Sequence, residues 1–211
     1  MQEAYRHPPL TLPGTPVQEE VRDGWKVTIR FREEGNGPWL VDLSHVAKLD
    51  IQDPGLDRTP GLEGLIPEKP GASALHEGWI ISRLNEVQAS LWQLRPQAPP
   101  LHPRGEWVTD VTDGLALLAL AGPQTLDVME RVTSLDLGRS GQPCPSVFQG
   151  PVCRVPTQVV LLRNDGSWAV VFLAFARGYG QCVAEALLHA GRPLGLGPAG
   201  EERLVSILDE P

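Results

Sequence analysis

Asp42, Ser44 and His45 stand together in the stretch DLSH, and a Ser/His/Asp set is the chemistry of a hydrolase. The spacing weighs against it. Adjacent residues on a strand point to opposite faces, whereas triad members must converge in space. The plainer reading is a turn whose Asp and Ser side chains bond nearby backbone groups. A second stretch, ARGYGQ (176–181), sets Arg177, Tyr179 and Gln181 between an apolar strand and a helix start. Such a joint can present donors to an anionic or planar ligand; the plainer reading is a strand-to-helix connection.

The run LALLALAGPQT (115–125) offers a third candidate. A phosphate loop needs several glycines, so that successive N–H groups point at one anion, and a nucleophile elbow needs Ser, Cys or Asp at the turn. Gly122 stands alone here, no lysine follows it at the required spacing, and Gln124 and Thr125 are poor substitutes. The stretch therefore reads as a packing joint, with Gly122 turning the backbone and Pro123 in the first turn of a helix. Cys144, Cys153 and Cys182 form a small odd set without metal-ligand spacing, as in a reducing compartment. Cys182, beside Val183 on a predicted helix, is expected in the core. His7, His76, His102 and His189 are scattered, with His189 placed to meet the carbonyls at a helix end. No pair of carboxylates has a clear acid–base setting, so no catalytic residue and no metal ligand is predicted.

These residues belong to a chain of 211 residues with formal net charge -8. Lysine is scarce and no basic stripe occurs, which argues against nucleic acid and anionic membranes. The N-terminus lacks the pattern of a signal peptide, and the longest apolar run, Leu115 to Ala121, is too short to span a bilayer. The expected location is cytoplasmic.

Residues 1–20 are proline-rich and read as an extended arm, suited to lying on a partner; residues 21–211 read as one domain. GWKVTIRF (24–31) alternates and predicts a half-buried strand. WLVDLSHVAKLDI (39–51) predicts two short strands with a kink at Ser44-His45. The Pro/Gly-broken segment 53–75 allows a short helix over 56–65. Residues 79–84 and 87–94 predict a hairpin about Asn85-Glu86. Strands follow at 107–112 and 115–122 about Asp113-Gly114, then a helix to Val132 with Leu126, Met129 and Val132 as its apolar stripe. Residues 137–151 read as a loop, and 152–176 as a hairpin turning on Asn164-Asp165-Gly166. Its second strand, apolar on both faces, is expected to be central. Helices over 179–191, closed by Gly191, and over 197–208 complete the chain. Tight turns join most strands, which predicts an α+β fold with antiparallel sheets.

Three of these segments carry a resemblance. WLVDLSHVAKLDI resembles the early strand pair of the aminomethyltransferase family, the T-protein of glycine cleavage and its relatives. VTDVTDGLALLALAGPQTLDVMERV resembles its middle strand–helix signature, and ALLHAGRPLGLGPAGEERLVSIL its closing one. The resemblance implies a folate-binding fold of ferredoxin-like, antiparallel lobes around a central opening, here without the C-terminal barrel of full-length members. The departures concern function. LNEVQASLWQL (84–94) lacks the acidic pair that catalytic members carry in a stretch of the type NExGGxxDD. Gly178-Tyr179-Gly180-Gln181 contracts a loop of the type GYTGExGxE, and its folate-holding glutamate is not matched. RGYGQCVAE (177–185) echoes the KGCYxGQE motif of the iron–sulfur branch only faintly.

FLAFARGYGQCVAEALLHAG (172–191) is similar to the closing strand and helix of the gamma subunit of heterotetrameric sarcosine oxidase. That similarity implies a non-catalytic subunit of a flavin-dependent sarcosine oxidase or related amine oxidoreductase. Its partners would be larger flavoprotein chains of alpha and beta type, flavin and NAD would sit on those chains alone, and this chain would hold no cofactor. The alternative it implies is a stand-alone folate-binding aminomethyltransferase-like protein of one-carbon metabolism, taking tetrahydrofolate at Arg177 and Tyr179.

Overall fold

Alternation and two-sided apolarity build most of the molecule, whose computed structural model describes residues 6–139 and 141–209. The first five residues of the expected arm lie outside the described residues. In chain order the elements are β1 (Pro16–Arg22), β2 (Trp25–Phe31), β3 (Trp39–Asp42), β4 (Lys48–Gln52), β5 (Ser73–His76), β6 (Trp79–Arg83), β7 (Gln88–Gln93), β8 (Val108–Asp110), β9 (Leu115–Pro123), α1 (Thr125–Glu130), β10 (Ser146–Val152), β11 (Val155–Asn164), β12 (Trp168–Ala176), α2 (Gly180–Gly191), β13 (Gly197–Pro198) and α3 (Glu201–Asp209). Single 3₁₀ turns occupy Leu56–Arg58, Arg177–Tyr179 and Arg192–Leu194.

The strands form a two-stranded sheet, β1-β2, a six-stranded sheet in the order β10-β11-β12-β9-β3-β13, and a five-stranded sheet in the order β5-β6-β7-β4-β8. Pairing is antiparallel throughout the three sheets except β13 beside β3. This is the predicted α+β fold with antiparallel sheets, and the strands close no barrel among the described residues. Among the described residues, no helix is long and apolar enough to cross a membrane.

β9 and β12 lie inside the six-stranded sheet and are apolar on both faces. Leu118, Leu120, Val171, Leu173 and Phe175 pack against Val128 and Met129 of α1 and Val183, Ala184 and Leu187 of α2. Leu117, Ala119, Val170, Phe172 and Ala174 face the other way, onto Ile80, Trp92 and Leu94 of the five-stranded sheet and Leu204 and Ile207 of α3. The far face of the five-stranded sheet, with Ile51, Trp79, Ile81 and Leu91, is covered by Leu56, Leu62 and Ile66. Arg83 fastens that cover: its guanidinium, buried on β6, donates to the Asp57 carboxylate and to the carbonyls of Pro67 and Glu86.

Several elements differ from the sequence reading. Residues 16–20 belong to β1, because they pair with the alternating strand β2. The segment 56–65 makes one 3₁₀ turn in place of a helix, since glycine and proline recur through it, and β5 follows. β10 forms where a loop was expected and turns the anticipated hairpin into a three-stranded meander, and β13 takes the first two residues of the helix expected over 197–208, which begins only at Glu201. Pro123 ends β9 opposite Trp168, and α1 begins only at Thr125, after Gln124 in the left-handed region at φ 58°. α1 buries Thr125, Val128 and Met129 rather than the full expected stripe. Gly122 stays within β9, opposite Ala169, so the turn falls after it; it has φ +120°, and a Cβ there would lie 3.1 Å from the Trp39 ring. Gly191 remains helical, with Leu196 packed where its side chain would be, and the left-handed turn falls at Gly195. Cys182 is exposed, because the buried stripe of α2 runs through Gly180, Val183, Ala184 and Leu187 and so leaves position 182 on the outer side.

Phe172 is fully buried between the two large sheets. Phe172→Ala removes a ring that those layers cannot collapse to replace, so a denaturant melt should show a loss of about 3–5 kcal/mol.

Candidate functional site

The kink after β3 carries the chain from one large sheet to the other, because β3 and β4 belong to different sheets. Asp42, Ser44 and His45 lie on this crossover. Asp42 Oδ1 accepts from the Ser44 backbone N–H at 2.9 Å and from its hydroxyl at 2.6 Å. The same Ser44 oxygen accepts from the N–H of Leu117 at 3.2 Å, which ties the crossover to β9. His45 turns elsewhere, its Nε2 3.0 Å from Glu201 Oε1 at the start of α3. The three residues therefore form a structured turn, as their adjacency on the chain demanded, and make no hydrolase triad.

The crossover borders a cleft of about 430 Å³ between the β1-β2 hairpin, Gln93–Pro96 and Asp110–Asp113. Trp25 and His45 line it, with Arg6, Arg22, Arg95, Asp110 and Asp113 as its charged groups of main interest. Each arginine has an internal partner. Arg6 reaches Asp113 at 3.4 Å, and Arg22 reaches Glu20 at 2.7 Å and Glu201 at 2.5 Å. Arg95 donates to the Asp209 carboxylate and, at 2.8 Å, to the Leu208 carbonyl. Asp110 accepts from the Thr112 N–H at 2.8 Å.

Glu201 is the most buried of these charges. Burial pushes its carboxyl upward, but His45 and Arg22 together outweigh that and hold it below its ordinary value. Behind the crossover, Lys48 is fully buried and donates to the carbonyls of Ser44 at 2.9 Å and Val46 at 2.8 Å. Burial lowers its ammonium to about 8, against the pull of Asp42, Asp110 and Asp113. Burial also raises Asp42, opposed by the Ser44 hydrogen bonds and the nearby His45 and Lys48.

Arg177 and Tyr179 share one 3₁₀ turn but not one task. Arg177 donates to the His7 carbonyl and lies 5.1 Å over the Trp25 ring, with Arg6 5.8 Å from the same ring. Tyr179 is half exposed. Gln181 Oε1 accepts from the Thr11 N–H at 2.8 Å, and its amide donates to Glu185 at 2.8 Å. A Cβ on Gly180 would meet the Pro9 carbonyl oxygen at 2.5 Å, so the arm seats directly on this glycine. Leu10 and Leu12 enter the core beside α2. The arm thus closes over the joint, held by Arg177 and Gln181 of the donors considered for a planar ligand.

Sequence reasoning singled out His45 but missed Arg22, Lys48 and Glu201. A lysine at the start of a short apolar strand was the one local signal for Lys48; Glu201 lies 156 residues from His45. His7, His76 and His102 do not join the cleft lining, and the carbonyl of Ala190 near the end of α2 accepts from Arg131 at 3.3 Å. No cluster of His, Cys, Asp or Glu suited to a metal occurs among the described residues.

Comparison with known proteins meets the resemblance read from the motifs. No family model matches the chain. The chain is 29% identical over 98 residues to sarcosine oxidase subunit alpha of Rhizobium meliloti, covering 46% of this chain and 10% of that one. It is 25% identical over 207 residues to an aminomethyltransferase of Bacillus licheniformis, covering 84% and 56%. It is 30% identical over 96 residues to an aminomethyltransferase of Porphyromonas gingivalis, covering 46% and 26%. The chain therefore spans about half or less of the length of these relatives. Its fold matches a chain of the heterotetrameric sarcosine oxidase from Corynebacterium in complex with pyrrole 2-carboxylate. The TM-score is 0.59 and the identity 16%, covering 76% of this chain and 88% of that one. Sequence and fold both set the chain beside aminomethyltransferases and sarcosine oxidase.

The charges of the site give two pH signatures. Glu201 is ionised in the folded chain at pH values where the unfolded chain already takes up its proton, so its contribution is present above its ordinary value of 4.5 and fades as pH falls through the lower folded value. Glu201→Gln should cost about 2 kcal/mol at pH 7 and flatten the acid limb of stability in urea melts. Lys48 sheds its proton near 8 when folded but near 10.5 when unfolded, so the unfolded chain binds more protons in between. Stability should gain a rising component from pH 8 to 10.5 that Lys48→Met removes.

Proposed function

We propose that this chain is a non-catalytic, gamma-like subunit of a flavin-dependent sarcosine oxidase or related amine oxidoreductase, helping larger catalytic chains assemble in the cytoplasm. One observation carries the reading: the arginines around the cleft are paired within the chain, and its arm occupies the joint that would offer donors to a ligand. A site organised to bind and transform a substrate keeps polar groups aimed at the place where the substrate sits. Here those groups hold the arm, the hairpin and α3 together. The likeness to a chain of a heterotetrameric sarcosine oxidase supplies the class of assembly. Flavin and NAD then belong to the partner chains, and this chain contributes contact surface.

The alternative is tetrahydrofolate binding by the chain alone at Arg177 and Tyr179, supported by the alignment with an aminomethyltransferase over most of the chain. It requires the arm to leave, because the Arg177 guanidinium and the Gln181 amide both engage it.

Affinity purification of the tagged chain from its native source separates the two. Co-purification of larger chains with a flavin absorbance spectrum is the expected result. A colourless, solitary chain that binds tetrahydrofolate in a calorimetric titration, with binding lost in Arg177→Ala, would replace the first reading with the second.

A further inference from the structure

A second cavity, of about 370 Å³, opens between the two large sheets under the last turn of α3. Leu94 from the end of β7, Leu162 of β11, Val170 of β12, and Ile207 and Leu208 of α3 form its apolar walls. Leu75 of β5 also lines it and is 56% exposed. The charged residues lining this cavity are Arg95 and Arg163, and no carboxylate lines it. In a chain of net charge -8 that is a local reversal of sign. Arg163 lies 5.6 Å over the Trp168 ring. Arg95 borders both this cavity and the cleft, and its present anionic partner is Asp209, a half-exposed side chain at the end of α3.

We propose that this cavity is a binding site for a small apolar carboxylic acid with an aromatic or branched body. The body packs against Leu94, Leu162, Val170 and Ile207, and the carboxylate takes the fork of Arg95 in place of Asp209. Ligand sites of this size are mostly apolar with a few placed polar groups. Guanidinium forks pair well with carboxylates, and more strongly where apolar walls exclude water. A neutral hydrocarbon would use the walls alone and could not exchange with Asp209 at Arg95. A strongly hydrated anion such as phosphate would lose its water to walls that cannot replace it. The inference shares Arg95 with the subunit reading but concerns a different cavity, and titration of the chain is read separately from its co-purification with larger chains.

The test is a calorimetric titration of the full chain with 4-phenylbutyrate, with 4-phenylbutanol as the uncharged analogue. Saturable one-to-one binding of the acid, weakened about tenfold for the alcohol and for Arg95→Gln, is expected. Asp209→Asn should bind the acid more tightly, because it removes the competing carboxylate. Leu75→Trp, a change at an exposed position that the fold tolerates, should narrow the entrance and abolish binding. Thermal melts establish that each variant is folded. Absence of one-to-one binding, equal affinity for acid and alcohol, or affinity unchanged by both Arg95→Gln and Leu75→Trp would overturn the proposal.

Discussion

The burial of β9 and β12 on both faces constrains the rest of the molecule. A strand with apolar side chains above and below needs a cover on each side. α1 and α2 supply one, and the five-stranded sheet with α3 supplies the other. That sheet has its own outer apolar face, which the irregular segment from Leu56 to Ile66 covers. Loop, sheet, sheet and helices follow from one another as successive answers to the same demand. The chain must pass between the sheets to build them, and the passage at Leu43–Ala47 is where polar groups concentrate. Lys48, Ser44 and Asp42 bond the backbone of a crossover that neither ladder can satisfy.

The cleft beside that crossover is a junction of distant parts. Arg22 comes from the first hairpin, His45 from the crossover and Glu201 from the last helix, and they meet in one buried knot. His45 and Arg22 together offset the cost of desolvating Glu201. The knot therefore acts as a latch between the ends of the chain. The arm adds a second latch through Arg177 and Gln181. At this cleft the polar groups are turned inward, onto one another and onto the arm.

The sequence carried the regular parts of this architecture openly. Continuous apolar runs marked β9 and β12, alternation marked β2, and Asn164-Asp165-Gly166 marked the turn before β12, where Asn164 and Asp165 accept from the N–H groups of Gly166 and Trp168. Four strands escaped, β1 among them because the proline-rich start read as an arm. β5, β10 and β13 lie in segments rich in glycine and proline, and neighbouring strands recruit them, which is a tertiary cause invisible in a local window. The site was legible one residue at a time. His45 and Arg177 drew attention by type, but their partners, Glu201 and the His7 carbonyl, lie 156 and 170 residues away. Cys182 shows how narrow the margin is: one step along a helix turns a side chain by about 100° and moves it from core to water.

The hairpin of β1 and β2 presents Trp25, Val27 and Ile29 on its inner face, and the backbone of Ile29 fits so closely against Gly200 that no Cβ could stand there. α3 packs on this hairpin and is translated long after it. A ribosome making about 5–20 residues per second exposes the apolar face of the hairpin for roughly ten seconds or more before α3 emerges to meet it. During that interval the N-terminal strands exist without their lid, and anything that binds an apolar strand surface competes with α3 for it. The order of synthesis thus leaves an early hairpin waiting for a late helix.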